Sequence, residues 1–261
     1  MNKTQVSINT VPAGNGLLWI KEAWFLFQSA PGRWIGSFFL ILIISAVAHL
    51  IPILGPILGS FLFRIVSISL FRVAFVLQTE NKFDWNELFF VARERLLPII
   101  QLVFVYISAI FLGVILVLLF VVGPTFIKLG GISNLIANPS TLITPAHAAR
   151  TIVGVLVLSL FIATIDFLIF IANGLVVLHD LPAFTALKLS FCCSVKNWLP
   201  LTVWGVSLFS IACIATIPLG LVFYSMAFIF ITPISFSLLL LIPISFISGY
   251  MAIRDLFILV E

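Results

Sequence analysis

Long apolar runs, separated by short polar or Pro/Gly-rich breaks, fill most of this chain. Six of them read as helices through a bilayer: residues 35–51, 57–78, 98–122, about 150–178, 199–222 and about 226–253. A helix rises about 1.5 Å per residue, so about 20 residues cross a hydrocarbon core of roughly 30 Å. The first run is short by that measure and fits a shallow position; the others have length to spare for tilt. The runs are continuous rather than alternating, and each exceeds the roughly 9–11 residues of a membrane strand, which argues against a barrel. Helices also satisfy their own backbone groups, which lipid cannot do. Pro52 and Pro56 bracket Gly55 in a turn between the first two runs, and Gly123-Pro124 ends the third. Pro218, Pro233 and Pro243 predict local kinks in the last two.

Three shorter segments carry a different pattern. Residues 17–30 place Leu17, Ile20, Trp24 and Phe27 at helical spacing. Residues 84–96 open with Asp84 and Glu87 in capping-box positions, and Leu88, Ala92 and Leu96 follow. Residues 180–198 open with Asp180 as N-cap and Pro182 in the first turn, and Phe184, Leu187, Phe191 and Trp198 recur. These predict amphipathic interfacial helices, with apolar faces too narrow to span and too wide for water. Each precedes a pair of spans. Aligning the junctions superimposes Trp34, Leu96 and Trp198, with Phe27, Phe89 and Phe191 seven residues earlier. The pattern predicts a threefold hairpin repeat, with units about 17–78, 84–178 and 180–253, after a polar tail over 1–16. That tail lacks the pattern of a cleavable leader, so the first run serves as an uncleaved insertion signal. Residues 17–261 form a single integral membrane domain in this reading.

Composition points the same way. The chain is 62% hydrophobic and only 8% charged, against roughly 25% charged residues in ordinary soluble domains. A soluble protein this apolar could not cover its own surface. The thirteen Lys and Arg residues read as topology signals rather than a nucleic-acid footprint, because no basic cluster tracks a phosphate backbone. With the amphipathic segments on the cytoplasmic side, Lys3, Lys21, Arg33, Lys82, Arg93, Arg95, Lys188, Lys196 and Arg254 fall inside. Only Lys128 and Arg150 fall outside, in or beside an external loop over 123–149, and Arg64 and Arg72 lie within the second run. Nine against two is a positive-inside bias that puts both termini in the cytoplasm. Trp19, Trp24, Arg33, Trp34, Arg93, Arg95, Lys196 and Trp198 are then candidate interfacial anchors, since indole and long cations favour the headgroup level.

Ionisable groups inside the spans are costly and mark candidate sites. Arg72 lies near the inner end of its run and can snorkel; Arg64 lies deeper. Asp166 sits near the middle of the fourth run, in a polar stripe with Ser159 and Asn173 at intervals of seven. Arg64, Asp166 and Asn173 are the candidate intramembrane polar group, either as a structural clamp between helices or as the lining of a polar path. Gly55 and Gly59 have GxxxG spacing, at a turn. Cys192, Cys193 and Cys213 lack metal-site spacing, and His49, His147 and His179 are scattered. No catalytic, metal or cofactor motif stands out.

The opening VPAGNGLLWIKEAWFLFQSAPGRWIG, the later KNWLP and the closing YMAIRDLF resemble a family of uncharacterised proteobacterial multi-pass inner-membrane proteins. More distantly, the chain is similar to the six-helix membrane domain fused to some glycerophosphodiester phosphodiesterases. The resemblance implies an inner-membrane helical protein and carries no activity with it; no segment is left to house the phosphodiesterase domain. The expectation is an all-α polytopic membrane bundle of about six spans and three interfacial helices, without enzymatic function or cofactor. Its partners would be the lipid bilayer and a membrane protein or a second copy of itself, with no nucleic acid. The competing expectation is a small-solute transporter or channel.

Overall fold

In a computed structural model, residues 5–52, 54–122, 145–223 and 231–260 are described. They are overwhelmingly helical. The helices are α1 (Asn15–Ser29), α2 (Pro31–His49), α3 (Gly55–Ile68), α4 (Leu70–Glu80), α5 (Phe90–Glu94), α6 (Leu96–Val117), α7 (Pro145–His179), α8 (Ala183–Lys196), α9 (Trp198–Phe223) and α10 (Ile231–Leu256). A 3-10 turn over Trp85–Phe89 precedes α5, and a π turn over Leu118–Val122 follows α6. Among the described residues, four helices are long and apolar enough to cross a membrane: Pro31–His49, Ile57–Glu80, Leu96–Phe120 and Ile152–His179. The second of these is α3 and α4 together, interrupted at Ser69. Helices also occupy the fifth and sixth predicted runs, as α9 and α10. Pro243 lies inside α10; the side chains of Pro218 and Pro233, like residues 123–144 with Lys128 and Asn138, fall outside what is described.

The chain forms two compact units. One comprises Met1–Ile99 with Ile171–Glu261, the other Ile100–Phe170. In the second unit α6 meets α7 where a Cβ on Gly113 would stand 2.7 Å from the Phe161 ring. Many large apolar side chains there, such as Phe104, Phe111 and Leu160, are exposed.

The first unit holds the core. α1 packs against α9 and α10, and α2 pairs with α3. The predicted turn between the first two runs is present, and the GxxxG spacing works inside the hairpin. A Cβ on Gly59 would fall 1.9 Å from His49 Nδ1, and one on Gly55 would fall 2.6 Å from the His49 carbonyl oxygen. The Ser45 hydroxyl donates to the Gly59 carbonyl at 2.9 Å, and His49 Nδ1–H donates to the Ser45 carbonyl at 2.7 Å. Small residues let the two backbones approach until polar side chains can bridge them.

Several expectations change. The polar tail is built into the fold: Gln5–Ile8 (β1) pairs antiparallel with Phe257–Val260 (β2), closing the two ends of the chain on each other. Residues 84–96 do not form one amphipathic helix. They make the 3-10 turn and the short α5, burying Leu88 and Val91 rather than a Leu88–Ala92–Leu96 stripe. α1 ends at Ser29, and Pro31 starts α2, where its missing N–H leaves nothing unsatisfied. Asp180 is not the cap of α8. It adopts a left-handed conformation (φ 56°) after α7, and Pro182 takes the N-cap position.

The faces of α1 and α8 that pack inside the protein are not the apolar stripes named for the membrane interface, apart from Phe27. α1 buries Gly16, Trp19, Ala23 and Phe27 and leaves Leu17 and Trp24 exposed. Gly16 sits directly on the next backbone, since a Cβ there would lie 2.5 Å from the Pro200 carbonyl oxygen. α8 buries Ala183, Ala186, Ser190 and Cys193 and turns Phe184 and Phe191 outward. The inner face of α8 is made of small residues, which allow close approach, whereas α1 alternates Gly16 and Ala23 with the buried rings of Trp19 and Phe27.

Candidate functional site

Polar chemistry in the first unit concentrates where the chain ends meet α1, α8 and α10. The last turn of α10 brings Arg254 and Asp255 against α1. Asp255 Oδ2 accepts from Trp19 Nε1 at 2.9 Å, and Arg254 Nη2 donates to Glu22 Oε2 at 2.8 Å and to Asp255 Oδ1 at 2.9 Å. Burial opposes the Arg254 charge, but the hydrogen bonds and fields of Asp255 and Glu22 outweigh it and raise its pKa. Asn197, at the bend after α8, is buried. Its Oδ1 accepts from the Val11 amide at 3.0 Å, and its Nδ2 donates to the Asn9 carbonyl at 2.9 Å. Asn9 in turn donates through its amide to the Leu256 carbonyl at 2.8 Å and through Nδ2 to the Asp255 carbonyl at 3.1 Å. One network therefore ties residues 9–22, 193–197 and 254–256 together. The sequence reading missed it, although the short polar insert KN between two apolar segments was visible.

A second cluster secures the segment over 84–96. Asp84 accepts from the Asn86 amide at 2.9 Å, which realises half of the predicted capping box. The other half does not form, because Glu87 turns to Arg72 at 3.3 Å. The Arg72 guanidinium also lies over the rings of Phe75 and Phe90, 5.0 and 5.1 Å from their centroids. Arg72 is thus held by protein groups instead of snorkelling free. The Ser69 hydroxyl, at the break between α3 and α4, accepts from the Val91 amide at 3.2 Å.

The predicted anchors divide. Trp24, Arg33, Arg93, Lys196 and Trp198 are exposed, as an interfacial role requires. Trp19 and Trp34 are fully buried and are core residues: Trp19 bonds Asp255, and Trp34 meets Phe83 edge-on at 5.3 Å. Arg95 is half-buried and paired with Asp180. Trp198 and Trp34, aligned in sequence, thus sit in opposite environments, and the three junctions are not equivalent.

Of the intramembrane group, Arg64 lies on α3 in the first unit and Asp166 on α7 in the second; both are half-buried and both engage other groups. Asn173, one turn-pair further along α7 and in the first unit, is 4% exposed, and its Oδ1 has no hydrogen-bond partner among the described residues. Burial increases along the stripe from exposed Ser159 through Asp166 to Asn173. Among the described residues no group of His, Cys, Asp and Glu is placed to hold a metal ion.

The remaining feature is on the outside. α8 and α9 meet at 92°. The outward side of α8 shows Phe184 (68% exposed) and Phe191, and Trp198 (63% exposed) follows at the bend. Lys188 and Lys196 are exposed on the same helix. α1 repeats the pattern with exposed Leu17, Trp24 and Phe25 around Lys21. Comparison with known proteins adds nothing to this geometry: no family model, no curated protein and no solved structure matches the chain.

Proposed function

We propose that this is a non-enzymatic bacterial inner-membrane protein that organises the membrane or supports a partner membrane protein. In this reading six helices span the bilayer, both termini are cytoplasmic, and the amphipathic pieces lie at the cytoplasmic interface. The observation that carries it is the outward aromatic and cationic side of α1 and α8, joined to apolar helices by a core that uses its own charged groups for internal bonds. The resemblance to proteobacterial inner-membrane proteins supports the location, and the excess of Lys and Arg on one side supports the orientation. Purification in native lipid, followed by mass spectrometry, tests it. Co-purified lipid or a stoichiometric membrane protein is the expected result; a bound water-soluble metabolite would count against it.

The second reading, a small-solute transporter or channel, draws on Asn173. A buried amide oxygen without a partner is unusual, and it continues the stripe that holds Asp166. Asp166 would then line a polar path, with Arg64 the second residue expected to affect flux. Charge reversal of either residue alone should abolish solute flux in proteoliposomes. Single reversals that leave flux and folding intact would remove this reading.

A further inference from the structure

We propose that the outer side of α8 is a docking surface for anionic phospholipid headgroups, an inference that rests on the membrane reading above. At about 100° per residue, Phe184, Phe191 and Val195 fall within about 40° of one another on the helix, and Lys188 and Lys196 lie to one side of that line. All five are exposed. The inner face is filled by small residues, and among the described residues the aromatic line stays exposed.

The 92° bend fixes its direction. If α9 crosses the bilayer, α8 lies in the membrane plane. An in-plane helix buries its apolar line among the upper acyl chains and holds flanking lysines at headgroup depth. Trp198, at the corner between the two, is placed at the same level. Charge selects the lipid. Residues 181–254 contain Lys188, Lys196 and Arg254 but no Asp or Glu, and Arg254 is committed to Glu22 and Asp255. Lys188 and Lys196 are therefore the cations of this stretch that face outward, with no acidic neighbour along it to neutralise them. A zwitterionic headgroup offers them no net charge; phosphatidylglycerol offers one negative charge per lipid.

The full-length protein is reconstituted in phosphatidylcholine nanodiscs with phosphatidylglycerol as a minor component. Lipids retained after partial delipidation are counted by native mass spectrometry. The expected result is retention of phosphatidylglycerol above its share of the disc. Lys188→Gln with Lys196→Gln should lower that enrichment by up to about 5-fold per lysine, from roughly 1 kcal/mol per basic residue near an anionic surface. Both lysines are exposed, so the thermal midpoint of the variant should match that of the parent. Lys188→Arg with Lys196→Arg should keep the enrichment. Equal enrichment in the Gln variant, or none in the parent, overturns the proposal. So does efficient disulfide crosslinking of a Phe191→Cys variant between two copies, which would assign the surface to self-association. Release of the chain from native membranes by alkaline carbonate would instead sink the membrane reading itself.

Discussion

Asn197→Ala tests the network that joins the chain ends to α8. The substitution removes the acceptor for the Val11 amide and the donor to the Asn9 carbonyl. Leaving a buried polar group unpaired costs about 1–3 kcal/mol. Two half-buried backbone groups on a 1%-exposed side chain give about 2–4 kcal/mol by that rule. At 1.4 kcal/mol per factor of ten, local opening of this corner should rise roughly 30- to 1,000-fold. Cys193 reports it directly, because it is fully buried and lies within 3.7 Å of Asn197 Nδ2. In a Cys192→Ser, Cys213→Ser background, maleimide labelling of Cys193 should be slow in the parent and accelerate by that range in Asn197→Ala. Asn197→Asp should behave like the Ala variant, because it keeps an acceptor for Val11 but sets a negative charge against the Asn9 carbonyl. Lys196→Gln leaves the network intact and should produce no acceleration. Labelling within about 2-fold of the parent, with an unchanged melting midpoint, would refute the assignment, since surface changes of this kind stay within about 0.5 kcal/mol.

Further outcomes follow from the same contacts. Burial pushes the Cys193 thiol up to about 11, with Asn197 and Lys196 opposing more weakly and Cys192 adding slightly. The folded state therefore keeps this proton after the unfolded chain, near 9.0, has lost its own; the resulting stabilisation is complete below pH 9 and declines as pH rises from about 9 to 11, which a Cys193→Ala variant should not show in denaturation against pH. Gly59→Ala should destabilise the hairpin of α2 and α3 by about 1–3 kcal/mol through collision with the His49 ring, and His49→Ala should recover much of that in the double variant's thermal melt. Gly16→Ala should be worse and should resist rescue by side-chain trimming, because it strikes backbone at Pro200 and Trp204. Trp19→Phe keeps the ring but loses the bond to Asp255, and should cost about 1.5–3 kcal/mol in unfolding free energy, as a bond to a charged group does.

The positions of the helices were legible because apolar runs of this length leave little choice. The turn at Gly55 and the cap at Asp84 were legible from local chemistry. The inner faces of α1 and α8 were not. In a chain where apolar residues surround each helix, periodicity no longer separates the side that meets protein from the side that meets lipid. Gly16, Ala23, Ala183 and Ala186 carried that information through their size, which hydrophobicity alone ignores. The alignment of Trp34 with Trp198 failed as a guide for the same reason: one ring is enclosed by Phe83 and its surroundings, and the other stands outside. The pairing of Gln5–Ile8 with Phe257–Val260 depends on contacts more than 245 residues apart, beyond the reach of any local pattern. Of the candidate site, the exposed anchors and the polar stripe through Asp166 and Asn173 were readable. The Asn197 network was not, because a lone Asn beside a Trp looks the same whether it faces headgroups or backbone.

The central claim is a membrane bundle whose amphipathic helices and termini share the cytoplasmic side. Single cysteines at Asn138, Lys188 and Thr10, each in a background without native cysteines, can be labelled from either face of sealed membranes with a charged maleimide. The account predicts that Asn138→Cys reacts from the periplasmic face alone, and that Lys188→Cys and Thr10→Cys react from the cytoplasmic face alone. Labelling of Asn138→Cys from the same face as the other two would contradict it.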